Sequence, residues 1–563
     1  MKSVFDEVEG AVQAGMPNPR MTISEESIPC ESNRSASALT AVASFVRDYW
    51  PCLLVSSALV IAPCLWHRRI EAGDVPSHLY NAWLTHLIEA GQAPGLWLAH
   101  RWNNVLFDFA LSWLGNIFGW APAEKIAVCG AVLIFFWGAF ALVCALTRKI
   151  PWFLLPCLAM VAYGWTFEMG FMNCYISIGL AFFGLALLTR GRGWERGLAA
   201  ILVLFVWLAH PLGLVLLVAV GAYVVLAERL SPRQHVYLLG ISVLLLLGTH
   251  LFIRLHYSGG VSWRYKPTFV HDGTDQLLLW PHYMLPARLF RAFLWACLLV
   301  DVIRRWHKTR WWSPYVLPSA LYALTLVGAT LLPAGIDART FHRMGFLSIG
   351  FLTERLTSVS AVFLCCVLGV MKPQKWHMVG FAIIAVLFFS FLYNDTAAIN
   401  RTEAQLDNKV REIPPGSRVV ATIVTLPGRV TTHHIIDRVC IGHCFSYDNY
   451  EPSSAQFRVR ANQGNPFALA DTQDTWAAQT GKYVVRAGDL PLFDISRCDS
   501  STTALCVREL AAGDKTSSTL KNSDWFGLFD ATSLLVDISP VPILFVGVYA
   551  RRWLMARVQY ARA

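Results

Sequence analysis

The sequence predicts an α-helical polytopic membrane protein, with about 12 crossings and an external α/β domain towards its C-terminus. Three observations predict it. The 563 residues are 55% hydrophobic and only 15% charged, a balance far from that of a soluble enzyme. Apolar runs of spanning length recur along most of the chain. The basic residues sit in short clusters between those runs, such as "RGRGWER" (190–196), "RRWHKTR" (304–310) and "KPQK" (372–375). A formal charge of +10 distributed in this way matches cytoplasmic anchoring by the positive-inside rule and speaks against a nucleic-acid partner.

Residues 1–48 are polar and mixed in charge and read as a disordered cytoplasmic tail. The run "YWPCLLVSSALVIAPCLW" (49–66) has no short basic region directly before it and no cleavage site after it, so it reads as an uncleaved signal anchor. Further spans are expected at about 125–147, 151–166, 171–189, 197–227, 236–253, 287–303, 314–332, 346–370, 378–394 and 533–550. The stretch "VLFDFALSWLGNIFGW" (105–120) is read as interfacial or re-entrant, because a crossing there would put the basic clusters outside. In the run 197–227, His210 and Pro211 are expected to divide two short spans.

This scheme puts both termini on the cytoplasmic side of a bacterial-type inner membrane and leaves 67–124, 254–286, 333–345 and 395–531 external. The transmembrane domain is 49–394, and 532–563 holds the last span and a basic tail. In 395–531, "SRVVATIV" and "GKYVVRAG" read as strands between turn-rich pieces. Its cysteines Cys440, Cys444, Cys498 and Cys506 are disulfide candidates on an oxidising face.

The first external loop holds "GDVPSHLYNAWL" (73–84). After Pro76, the residues Leu79, Tyr80, Trp83, Leu84, Leu87 and Ile88 recur at helical spacing, which predicts an amphipathic helix flat on the membrane surface. Asp74 stands near its N-cap and Gly91 closes it. Asp74 reads either as a simple helix cap or as a reactive carboxylate.

An acid at the start of the loop after the first span, followed by a surface helix with Tyr80 and closed by Gly91, resembles the GT-C class of membrane glycosyltransferases. The resemblance covers roughly residues 49–394. It implies transfer of a sugar from a polyprenyl-phosphate-linked donor to an acceptor glycan, lipid or protein on the outer side, with membrane lipids as further partners. Asp74 would act on the acceptor or position a metal, so a divalent ion is left open and no other cofactor is implied. Several family members carry two adjacent acids where this chain has Asp74 and, three residues earlier, Glu71.

The chemistry is sound without the family. A carboxylate can take the proton of an attacking hydroxyl, with His78 assisting. Departure of a lipid phosphate calls for cations, and the loop 333–346 offers Arg339, His342 and Arg343 beside Asp337. Glu354 and Arg355 lie inside the apolar run 346–370, as a structural ion pair or as the lining of a phosphate cavity. Glu168 and Asn173 fall at an external turn, and His210 is a further lining candidate. The loop 266–283 brings His271, Asp272, Asp275 and His282. "HHIIDRVCIGHC" (433–444) contains His433, His434, Asp437 and His443, but in a spacing that matches no familiar zinc pattern. A flippase for lipid-linked glycans and an envelope scaffold are the rival functions. No Walker loop, dinucleotide fingerprint or serine-hydrolase elbow is present.

Overall fold

The computed structural model describes residues 38–517, except 192, 258–260, 264–271, 308–311, 337–348, 424–429, 431, 455 and 499–503. Most of the amino-terminal tail, the span expected at 533–550, His271, Asp337, Arg339, His342 and Arg343 lie outside the described residues.

The chain is mostly helical. In order come α1 (Ala38–Leu65), α2 (Val75–Glu89), β1 (Leu96–Leu98), α3 (Leu106–Phe118), α4 (Trp120–Thr147), α5 (Leu155–Ala162), α6 (Trp165–Glu168), α7 (Met172–Arg190), α8 (Trp194–Ala209), α9 (Pro211–Ala227) and α10 (Pro232–His256). Then follow β2 (Val261–Ser262), α11 (Met284–Arg305), α12 (Val316–Leu331), β3 (Gly335–Ile336), α13 (Leu352–Gly369) and α14 (Lys375–Val410). The carboxy-terminal part adds β4 (Arg418–Ala421), α15 (Ile435–Cys440), β5 (Phe445–Ser446), α16 (Glu451–Ser454), β6 (Val459–Ala461), α17 (Thr472–Gln479), β7 (Leu492–Arg497) and β8 (Leu505–Leu510).

Among the described residues seven helices are long and apolar enough to cross a membrane, in α1, α4, α7, α10, α12, α13 and α14. The expected count of about 12 includes 533–550, outside the described residues, and the remaining difference from seven has local causes. The run 151–166 opens with a 3-10 turn and Pro156 sits at the start of α5, leaving only eight α-helical residues. The run 197–227 breaks at His210 and Pro211 into helices of 16 and 17 residues. The run 287–303 becomes α11, which carries Arg288, Arg291, Asp301, Arg304 and Arg305. With 13 residues α3 rises about 20 Å, less than the roughly 30 Å hydrocarbon core.

One end of the bundle is stitched together by long-range bonds. Val105 N donates to Leu208 O at the end of α8 (3.1 Å), and Arg69 N donates to Asn400 Oδ1 on α14 (3.1 Å). Basic side chains cap the other end, where Arg190 Nε donates to Ala145 O (2.9 Å) and Lys149 Nζ and Arg305 Nη2 both donate to Val370 O.

The carboxy-terminal segment is a four-stranded sheet in the order β5-β4-β7-β8. β4 runs parallel to β5 and β7, and β7 pairs antiparallel with β8. "SRVVATIV" supplies β4, whereas "GKYVVRAG" gives only an isolated bridge from Val484 to Lys515. Cys498 and Cys506 form a disulfide across the β7–β8 hairpin. Cys440 and Cys444, also disulfide candidates, are free and buried. β6 leaves this sheet and pairs antiparallel with β1, adding a strand to the first loop.

α2 is not a surface helix. Every residue from Val75 to Thr85 is buried. Its polar face, which was expected to be solvated, meets the sheet segment: Asn81 and Asn449 exchange amide hydrogen bonds (3.1 and 2.8 Å), and Tyr80 Oη accepts from Ser446 N (3.0 Å). Amphipathic spacing identifies the two faces of a helix, but the polar face can be satisfied by protein as readily as by water.

Candidate functional site

The site begins with the backbone at Gly73 and Asp74. Gly73 N donates to Glu168 O (2.8 Å) and Asp74 N to Met169 O (3.0 Å), so the turn after α6 holds the start of α2. The fit leaves no room for side chains. A Cβ on Gly73 would lie 2.5 Å from Met169 O, and Gly170, at φ +76°, packs directly on Asp74 N.

Asp74 occupies the N-cap position of α2, yet its side chain makes no capping bond. Its carboxylate, 16% exposed, lies 3.7 Å from Nε2 of His434 instead. That is ion-pair range but too long for a hydrogen bond. His434 precedes α15, and its Nδ1 lies 3.3 Å from Oδ2 of Asp437. Tyr450 packs against the imidazole with ring centroids 4.7 Å apart, and the Ser446 hydroxyl donates to Asp437.

His78 meets Asp74 through the backbone, where its N donates to Asp74 O (3.0 Å), while its side chain is engaged elsewhere. Its Nδ1 is hydrogen bonded to Asp108 Oδ1 on α3 (2.8 Å) and lies 3.6 Å from Glu451 Oε1. Asn173 orients Asp108 by donating to its Oδ2 (3.0 Å), while its own Oδ1 accepts from Phe107 N (2.8 Å). Phe107 and Phe457 meet the His78 ring edge-on.

Five carboxylic acids, Asp74, Asp108, Asp437, Asp448 and Glu451, thus share two imidazoles. Burial alone would make both histidines harder to charge, but Asp108 raises His78 and Asp437 raises His434, with Asp74 adding to each. Burial, followed by Asp437, pushes the Asp448 carboxyl up to about 7. Burial, then Asp108 and Asp74, holds Glu451 well above the usual carboxylate range. Burial and mutual repulsion among the acids thus favour the protonated forms of Asp448 and Glu451.

A cation stands on the flank of this group. Phe171 follows Gly170, which touches Asp74, and the Arg355 guanidinium lies over the Phe171 ring at 3.9 Å. Arg355 Nη1 lies 3.3 Å from His210 Nε2, while Leu212 N donates to His210 Nδ1 (3.1 Å). That backbone bond makes Nδ1 the acceptor and Nε2 the protonated nitrogen of a neutral ring. Glu354 and Arg355 fall in the first turn of α13, which begins at Leu352.

Other expected participants are engaged elsewhere. Glu168 meets Gly73 through its carbonyl oxygen, and burial raises its carboxyl well above the ordinary value. The Glu354 carbonyl oxygen accepts from Gln276 Nε2 (2.8 Å), and its side chain is buried. Asp272 pairs with Arg291 (3.2 Å), Asp275 accepts from the Thr357 hydroxyl (2.9 Å), and His282 is bound to Asp395 (2.8 Å). Glu71 faces away from Asp74 and joins Arg438 (3.2 Å). The same guanidinium pairs with Glu403 (2.5 Å) and Glu124 and donates to Ile70 O (2.9 Å).

Sequence reasoning missed Asp108, and in the aromatic and polar stretch 445–460, which suits sugar stacking or a domain surface equally, it did not single out Asp448, Tyr450 or Glu451. Asp108 had a legible signal, as the one acid within the otherwise uncharged stretch 105–120. Among the described residues no group of three or more His, Cys, Asp and Glu is arranged to hold a metal ion. The chain matches no family model, no curated protein and no solved structure.

Proposed function

We propose that the chain is a GT-C-like membrane glycosyltransferase that moves a sugar from a polyprenyl-phosphate-linked donor to an acceptor hydroxyl on the outer side of a cytoplasmic membrane. One observation carries this reading: the part-exposed, uncapped Asp74 carboxylate faces His434 inside an acid-rich pocket, with Arg355 over the neighbouring Phe171.

In the proposed reaction the acceptor oxygen attacks the anomeric carbon as the bond from that carbon to the carrier phosphate breaks. Asp74 takes the acceptor proton, and His434, held by Asp437, steadies the carboxylate. Negative charge builds on the departing phosphate, and Arg355 is proposed to receive it, with neutral His210 donating a second hydrogen bond. Arg339, His342 and Arg343 are proposed to add to this cationic side. The basic end of the bundle would face the cytoplasm.

The test is transfer from a radiolabelled polyprenyl-phosphate sugar by purified chain in lipid nanodiscs. Asp74→Asn is expected to lower turnover by about 10²- to 10⁴-fold without changing the melting temperature. Full activity of that variant would remove Asp74 from the chemistry. Carrier translocation without transfer in the parent chain would favour the flippase.

A further inference from the structure

The strand pair β1–β6 carries arginines that the transfer reaction above does not use. Trp97 is opposite Arg460 and Leu98 opposite Val459, and Ala99 N donates to Arg458 O (2.8 Å). Because side chains alternate along a strand, Arg458 and Arg460 share one face, while Val459 points to the other and is buried.

Arg460 is only 8% exposed. Its Nη1 donates to Val459 O (2.8 Å), whereas its Nη2 is buried with no hydrogen-bond partner among the described residues. A buried guanidinium N–H left unmatched is costly unless something fills the position. Burial and then nearby Arg101 bring the Arg460 side chain down to about 10, against a weaker pull from Glu451. Arg458 lies over the ring of Phe109 at 4.3 Å. Trp97 (47% exposed), Trp102 (72%) and Phe109 (42%) surround the group with exposed aromatic surface.

We propose that Arg101, Arg458 and Arg460 form an oxyanion site for a phosphate ester, assembled only when the sheet segment adds β6 to the first loop. Arg101 and Arg460, close enough to repel in a part-buried setting, are stabilised by a shared anion whose oxygens accept from both forks, with Arg458 on the same strand face as Arg460. The exposed rings suit the body of a sugar or the interfacial layer of a bilayer. Two sources share this chemistry: a phosphorylated saccharide, such as an acceptor glycan, and the headgroup of an acidic phospholipid. The site goes beyond the proposed reaction and does not depend on it.

The experiment titrates inorganic phosphate into the purified full-length chain in zwitterionic nanodiscs, followed by calorimetry. Parent protein is expected to bind, Arg460→Met and Arg101→Gln each to weaken binding about tenfold or more, and Arg411→Met, an exposed helix-end control, to leave it unchanged. Unaltered affinity in both site variants, or no binding by the parent, would overturn the site. If Arg460→Met does not stay monodisperse, Arg101→Gln decides alone. Repeating the titration in nanodiscs containing phosphatidylglycerol separates the sources: a headgroup ligand competes and abolishes the phosphate signal, whereas a saccharide phosphate site keeps it. No transfer reaction is involved, so failure here and failure of glycosyl transfer are separate results.

Discussion

Two charged clusters are built from the same two pieces of chain and come out as opposites. Glu71 and Asp74 lie three residues apart in the first loop, and His434 and Arg438 lie four apart at α15. One pair of ends makes the Arg438 cluster, where a single guanidinium meets Glu71, Glu124 and Glu403, all buried. The other makes the Asp74 cluster, with imidazoles in place of guanidinium, a 3.7 Å contact and a carboxylate still partly open to solvent. Close ion pairs from buried carboxylates to Arg438 and Arg69 mark the first as a lock that fixes the sheet segment on the helices. Incomplete pairing marks the second as a place where protons and ligands can exchange.

The contrast can be broken most severely at the lock. Arg438→Met removes the guanidinium shared by Glu71, Glu124 and Glu403, leaving Glu403 its pair with Arg69 (2.5 Å), and is expected to cost about 3–5 kcal/mol, read as loss of monodisperse protein or a large fall in melting temperature. A variant that melts like the parent would deny the lock its role. Substitution at the open cluster should do the reverse: Asp74→Asn keeps stability and loses transfer, as stated above. His434→Gln is expected to fall between, with turnover reduced by about tenfold to a hundredfold and a shifted pH–rate profile. An unchanged profile would reduce His434 to packing.

The smallest effect sharpens the comparison through pH. Asp448 titrates near 7 in the folded chain and near 3.9 when unfolded, so the folded state holds the extra proton between those values. Stability should therefore fall as pH rises from about 4 to 7. The raised histidines act in the same direction, since their stabilising charge is present at acid pH and is lost as pH climbs through their folded values. His433, brought down by burial to about 4, pulls the other way, so the reading is the difference between two proteins: from about pH 4 to 7 the melting temperature of the parent should fall more, or rise less, than that of Asp448→Asn. Parallel curves would contradict the assignment.

What the sequence disclosed follows from what local pattern encodes. The helix after Asp74, its end by Gly91 and the break at His210 and Pro211 were legible because spacing and proline act within a few residues. Asp74 was legible as a position, but its partner was not, since His434 is 360 residues away and belonged to a motif judged only for zinc. The excess of predicted spans came from reading hydropathy without the prolines and charges that shorten α5 and set α11 apart. The polar face of α2 misled for a related reason: its partner, Asn449, lies far along the chain.

α14 gives the assembly a further property. Its 36 residues run unbroken from Lys375 to Val410, about 54 Å, and the same helix that is apolar enough to cross a membrane ends by delivering Glu403 to the Arg438 lock. Such a strut transmits torque where a loop would absorb it. The sheet segment is thereby denied the swivel available to a tethered module, and a fragment cut free at residue 411 would carry Arg438 away from Glu71, Glu124 and Glu403 at once. The segment is a part that has to be made in place, finished only against the helices that precede it.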